Sequence, residues 1–152
     1  MSDRGGEAKR TTRAGVDAIL IACDGGARGN PGPAAIGAVI YDQATEPPTP
    51  LRTISERIGV ATSNVAEYRA LVRGLEAAEE LGARRVHVRA DSQLLIRQLE
   101  GEYRVKNAGL RPLFERARGL LAHYDDVVLE HVPREANVEA DALVNAALDL
   151  PD

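Results

Sequence analysis

Four carboxylates, Asp24, Glu67, Asp91 and Asp141, stand where ordinary structure often prefers other side chains. Three have a mundane explanation to hand. Asp24 precedes Gly25-Gly26 and reads as a turn opener. Glu67 follows Asn64 by three residues, a capping-box spacing, and Asp91 can cap a helix that starts at Ser92. Asp141 has no such excuse. Val138, Val144 and Leu148 fall on its own helical face, so it is predicted to lie along an apolar stripe, with no Lys or Arg obviously placed to meet it. Carboxylates gathered at one spot repel unless a proton or cation lies between them. Oxygen donors without a Cys or His cluster favour hard ions such as Mg²⁺ or Mn²⁺. Two such ions about 4 Å apart form a clamp for phosphodiester cleavage, one on the attacking water and one on the leaving oxygen.

The elements that must deliver these acids follow from hydrophobic period. Ile19 to Cys23 is apolar at every position, the mark of an interior strand, and it delivers Asp24 to its tip ahead of a glycine- and proline-rich loop. Ala35 to Asp42 and Leu51 to Val60 read as two more strands, so the first three make an antiparallel meander. Tyr68, Leu71, Val72, Leu75, Ala78 and Leu81 recur at three and four, which predicts a long amphipathic helix ending at Gly82. Arg85 to Asp91 is a fourth strand, expected beside strand one and parallel to it, because both end in an acid. A short helix over Ser92 to Leu99, a helix marked by Leu110 to Tyr124, a strand over Asp126 to Val132 and a helix over Val138 to Leu148 complete an α/β chain.

Composition sets the outer bounds. The 152 residues suit one domain, with a core built from Ala, Val, Leu and Ile because aromatics make up 3% and Trp is absent. One cysteine cannot form an internal disulfide, and no apolar run spans a bilayer, so a cytoplasmic protein without membrane contact is expected. The net charge of −4 argues weakly against a nucleic-acid partner, yet two divalent cations would cancel it. Residues 1–16 mix Arg4, Lys9, Arg10 and Arg13 with Asp3 and Glu7 and read as a flexible tail before a domain over 17–150. Among the histidines, His87 reads as a surface side chain, His123 as a helix-end cation, and His131 as a strand residue rather than a proton shuttle.

Asp24-Gly25-Gly26-Ala27-Arg28-Gly29-Asn30-Pro31-Gly32-Pro33, Thr62-Ser63-Asn64-Val65-Ala66-Glu67-Tyr68, Ala90-Asp91-Ser92-Gln93 and Asn137-Val138-Glu139-Ala140-Asp141, in that order, resemble the type 1 ribonuclease H family from about Ala18 to Leu148. The resemblance implies a five-stranded mixed sheet in the order 3-2-1-4-5 with helices on both faces, and hydrolysis of the RNA strand of RNA·DNA hybrids by a monomer. It also implies two Mg²⁺ per site, with Mn²⁺ as a substitute, and products bearing 5′-phosphate and 3′-hydroxyl ends. By the same resemblance, Asp24 bridges both ions, Asp141 completes the nucleophile side, and Glu67 with Asp91 holds the leaving-group side. Gly29, Asn30, Ser63, Asn64 and Gln93 approach the hybrid in or near its minor groove, where sugar hydroxyls and shape mark RNA. Thr62 with Asn64 matches a phosphate pocket.

Two departures stand out. The segment Val132 to Asn137 is short and offers Arg134 where many members carry a mobile histidine, and the basic, Trp-containing substrate handle is missing. Both features match the short branch of archaea and actinobacteria, sometimes fused to a phosphatase-like domain. Hybrid affinity then falls to Arg28, Arg104, Lys106 and Arg134 and should be salt-sensitive. Two rivals remain: a non-catalytic hybrid-binding module, which retention of all four acids disfavours, and an actin-like ATP-handling domain, which needs a second lobe that 152 residues do not provide.

Overall fold

The computed structural model describes residues 15–151. Residues 1–14 of the expected tail lie outside the described residues, while Val16 is half-buried against the core. Strands β1 (Ala18–Ala27), β2 (Gly32–Asp42) and β3 (Thr49–Ala61) form the expected meander. Helix α1 (Ser63–Ala78) then leads to β4 (Arg85–Ala90), α2 (Gln93–Leu99) and α3 (Arg111–Leu121) lead to β5 (Asp126–His131), and α4 (Val138–Asp149) follows. The sheet order is β3-β2-β1-β4-β5, with β4 parallel to both β1 and β5. It is the 3-2-1-4-5 order expected from the resemblance.

The unbroken apolar run of β1 has the physical reason foreseen for it: both faces are covered. Ile19, Ile21 and Cys23 join the large core that α1, α2 and α3 cover, with Tyr68, Leu71 and Leu75 among its fully buried members. Each such side chain contributes about 1.5–3 kcal/mol through its removal from water. On the opposite face α4 lays Val144 and Ala147 against Ala35 of β2.

Asp24 does not end its strand as the glycines suggested. The parallel pairing with β4 stops at Cys23–Ala90, but the antiparallel pairing with β2 runs on to Ala27–Ala34. Gly25 therefore lies inside a strand rather than opening a turn. A Cβ there would sit 2.2 Å from the Ala66 carbonyl carbon, so its lack of a side chain is what lets α1 rest on β1. Gly37 does the same for α4, where a Cβ would lie 2.4 Å from the Ala140 oxygen. Turn chemistry and close approach both select glycine, which is why sequence alone could not separate them.

Candidate active site

Where the β1–β4 pairing ends, three acids converge. Carboxylate oxygens of Asp24, Glu67 and Asp91 all lie within 4.8 Å of one another. Asp24 arrives from β1, Asp91 directly follows β4, and Glu67 comes from the second turn of α1, whose amino end rests on Gly25. Asp141, in the first turn of α4, stands outside this triangle but shares a side-chain hydrogen bond with Asp24. All four acids predicted from sequence thus occupy one locality.

The helix caps differ from expectation in an instructive way. Thr62, not Asn64, caps α1, its Oγ1 accepting from the Val65 N–H at 3.2 Å. Ser92, not Asp91, caps α2, accepting from the Leu95 N–H at 3.2 Å. Hydroxyls do the capping, so Glu67 and Asp91 are released from that duty and face the cluster. The apolar stripe of α4 is also displaced from the predicted one. Ala140, Val144 and Ala147 are buried, whereas Val138 is 56% exposed, and Asp141 flanks the stripe at partial exposure. A cation is placed after all: Arg134 Nη2 lies 3.8 Å from Asp141 Oδ1.

Crowding leaves an electrostatic signature. Burial, followed by the charges of Asp91 and Asp141 and the shared hydrogen bond, pushes Asp24 up to about 7. Burial also pushes Glu67 up to about 7, against a hydrogen bond from Ser92 that favours the ionised form. Asp91 is raised by burial too, offset by Arg134 and a hydrogen bond from Asn137. A Cys23 thiol, fully buried behind this negative charge, is raised far above its usual value and is a packed apolar residue, as foreseen. The donor set is all oxygen and short of compensating positive charge, so it fits a hard divalent cation.

A Reverse transcriptase-like family model matches residues 22–147. Bifunctional protein Rv2228c of Mycobacterium tuberculosis is 43% identical over 131 residues, covering 86% of this chain and 35% of that protein. The solved N-terminal RNase H domain of Rv2228c superimposes with a TM-score of 0.81 at 42% identity, covering 87% of this chain and 99% of that one. Ribonuclease HI of Halobacterium salinarum is 45% identical over 126 residues, 83% of this chain and 62% of its own length. LC11-RNase H1, solved in complex with an RNA/DNA hybrid, is 44% identical with a TM-score of 0.79, covering 86% of this chain and 96% of that one. The chain belongs to the type 1 ribonuclease H family. It spans about a third of Rv2228c and under two thirds of the Halobacterium enzyme.

Around this ribonuclease H centre the remaining predicted residues fall into two groups. Asn30, in the turn after β1, accepts the backbone N–H of Ser63 at 3.0 Å, which ties the glycine-rich turn to the amino end of α1 beside Thr62 and the exposed Asn64. Gly29 shapes that turn at φ 100°, a conformation open to glycine. Gln93 opens α2 next to Asp91, exposed, and Arg134 reaches over the cluster, also exposed.

Two supporting residues were not foreseen. Asn137, 1% exposed, donates from Nδ2 to the Cys23 carbonyl at 2.9 Å and also braces Asp91. Ser92 serves the α2 cap and Glu67 at once. The motifs contained both residues, but their partners are distant in sequence and left no local pattern. No histidine belongs to the carboxylate cluster, although the charge of His131 acts on Asp91. His87 is held between Gln43 and Glu130, at 3.0 and 2.7 Å, rather than standing free on the surface. His123 faces Glu79 at 3.3 Å, and His131 is exposed at the end of β5.

Proposed function

We propose that residues 17–150 form a catalytic unit that hydrolyses the RNA strand of an RNA·DNA hybrid with two Mg²⁺ ions, Mn²⁺ substituting, to leave 5′-phosphate and 3′-hydroxyl ends. The observation that carries this reading is the convergence of Asp24, Glu67 and Asp91, with Asp141 bonded to Asp24. Family membership and the hybrid complex of a 44% identical relative support it. When bound, the ions supply charge neutralisation at the scissile phosphate and a water ionised at neutral pH.

The residues of the chain do the rest. Asp24, the most buried of the four, would hold the ions together with Glu67, Asp91 and Asp141. Ser92 and Asn137 hold Glu67 and Asp91 in orientation, and Arg134 limits repulsion among the acids. The α1 amino end at Thr62, with Asn64, attracts a phosphate through the positive end of the helix dipole. Gly29, Asn30, Ser63 and Gln93 line the approach for the sugar edge, where the 2′-hydroxyl separates RNA from DNA. The working form is a monomer in the cytoplasm. Among the described residues no helix is long and apolar enough to cross a membrane.

The test is Asp24→Asn assayed on a labelled hybrid with Mg²⁺ or Mn²⁺. Cutting of the RNA strand is expected to fall by about a thousandfold or more, the loss of several kcal/mol of metal-held stabilisation, while hybrid binding persists. Unchanged cutting refutes the reading; wild-type binding without cutting marks a hybrid-binding module instead.

A further inference from the structure

An open sheet has two edges, and here they are finished differently. The β3 edge carries the usual guards against a further strand: Pro50, the charged Arg52 and Glu56, Gly59 at φ 81°, and register shifts against β2. The β5 edge is short but has none of these. Its sequence, Asp126-Val127-Val128-Leu129-Glu130-His131, contains no Gly, Pro or Lys, and its register against β4 is unbroken. Val127 is 39% exposed and Val128 52%, so apolar surface is open on both faces of the strand.

The backbone of β5 is half used. The Asp126 N–H donates to the Arg84 carbonyl at 3.4 Å and the Val132 N–H to the Ala90 carbonyl at 2.9 Å, both toward β4. Peptide groups alternate in direction along a strand. Val127, Leu129 and His131 therefore turn their N–H and C=O groups away from the sheet, to a side where no described strand lies. An extended chain laid antiparallel there takes those three as its hydrogen-bonded positions. Asp126, Val128 and Glu130 become the non-hydrogen-bonded positions, where facing side chains come closest, with Cα atoms about 4.5 Å apart.

These three side chains set the chemistry of the occupant. Val128 lies beside His87 and Glu130 beside Arg89, on the sheet face away from the large core. A hydrogen bond from His87 holds the Glu130 carboxyl below its usual range, so it is ionised at neutral pH. Asp126 has no ion pair among the described residues, since its neighbours Arg84 and Arg85 are taken by Asp125 and Asp17. Acid, branched apolar side chain and acid in alternation are complemented by cation, branched apolar side chain and cation.

We infer that the edge of β5 accepts, as an added strand, an extended segment of a partner protein in which two cations flank a β-branched residue at alternate positions. This interaction surface lies beyond the proposed nuclease function and does not depend on it. Lys9, Thr11 and Arg13 of the chain itself have the same spacing, but reach counts against them. The added strand would lie three strand spacings from β1, about 14 Å, nearly all of the roughly 17 Å that five residues from Arg13 to Ala18 span at full stretch. Val16 also turns into the core on that path.

The experiment follows the backbone amide signals of the full chain by NMR as the capped peptide Thr-Lys-Thr-Val-Thr-Lys-Thr is added to about 1 mM. The amides of Val127, Leu129 and His131 are expected to shift and to gain protection from hydrogen exchange, while those along β3 stay still. Asp126→Lys is expected to weaken binding at least about fivefold, and a peptide with Glu at its second Lys, which faces Asp126 in antiparallel order, restores it. Glu56→Lys on the opposite edge leaves the Kd unchanged. Val127→Pro removes an outward N–H and no bond to β4, and is expected to weaken binding about tenfold or more. Amides of β5 that do not move, or an Asp126→Lys variant that binds as the wild type does, overturn the inference. So does movement of the same three amides without peptide, whether on Lys9→Glu/Arg13→Glu substitution or with protein concentration alone. The occupant is then the chain's own segment or a second copy.

Discussion

Strands β1 and β4 lie side by side and parallel, yet their two ends handle charge in opposite ways. At the amino end Asp17 meets Arg85 at 2.7 Å and Arg84 meets Asp125 at 2.8 Å, so acids and bases come in exposed pairs. At the carboxyl end Asp24, Glu67 and Asp91 sit within 4.8 Å of one another, and Arg134 tempers Glu67 and Asp91. The fold needs no such crowding, since the same two strands are closed off at the other end without it. Among the described residues, the clustered acids lie at the end where the proposed chemistry takes place.

The sharpest way to break that contrast is to remove one charge from the crowded end. In chelator at pH 8, Asp24→Asn is expected to melt above the wild type, by about 3 °C for each kcal/mol of repulsion relieved, even though it abolishes cutting. A lower melting temperature would mean that the carboxylate stabilises the metal-free fold. A pH series sharpens the point. In the unfolded chain Asp24 and Glu67 ionise in the usual carboxylate range; folded, both hold their protons up to about pH 7. From about pH 4 to about pH 7 the folded state thus binds more protons than the unfolded state, and stability falls as pH rises, then levels off. Millimolar Mg²⁺ or Mn²⁺, binding only the folded form, should flatten the fall. A metal-free melting temperature that climbs over this range would contradict the raised values.

Asn137→Ala comes next. It strips the buried Cys23 carbonyl of its donor and Asp91 of its brace, an expected loss of about 1–3 kcal/mol in denaturant unfolding, with slower cutting beside it. The smallest effect belongs to the paired end. Arg85→Ala breaks an exposed ion pair whose partners are each more than half exposed, and is expected to cost about 0–1 kcal/mol with cutting unchanged. A larger loss there would erase the distinction between the two ends.

What was legible in the sequence had a local or periodic cause. The all-apolar run Ile19 to Cys23 announced a strand covered on both faces, and the helical spacing from Tyr68 to Leu81 announced α1. The four acids were legible because each sits beside a motif residue or a period. What failed depended on choices that several residues could satisfy. Thr62 and Asn64 both cap helices, and geometry selected Thr62. Arg134 next to Asp141, and Asn137 bonded across 114 positions to Cys23, were out of reach because no local pattern reports a long-range contact.

The Asn137–Cys23 hydrogen bond has a temporal consequence. Asp24, Glu67 and Asp91 leave the ribosome well before Asp141, and the amide that fastens the α4 segment to β1 emerges only four residues ahead of that last acid. A half-made polypeptide therefore carries an unfinished blade, and under the proposed function the nuclease arms itself only when its final helix clamps onto its first strand.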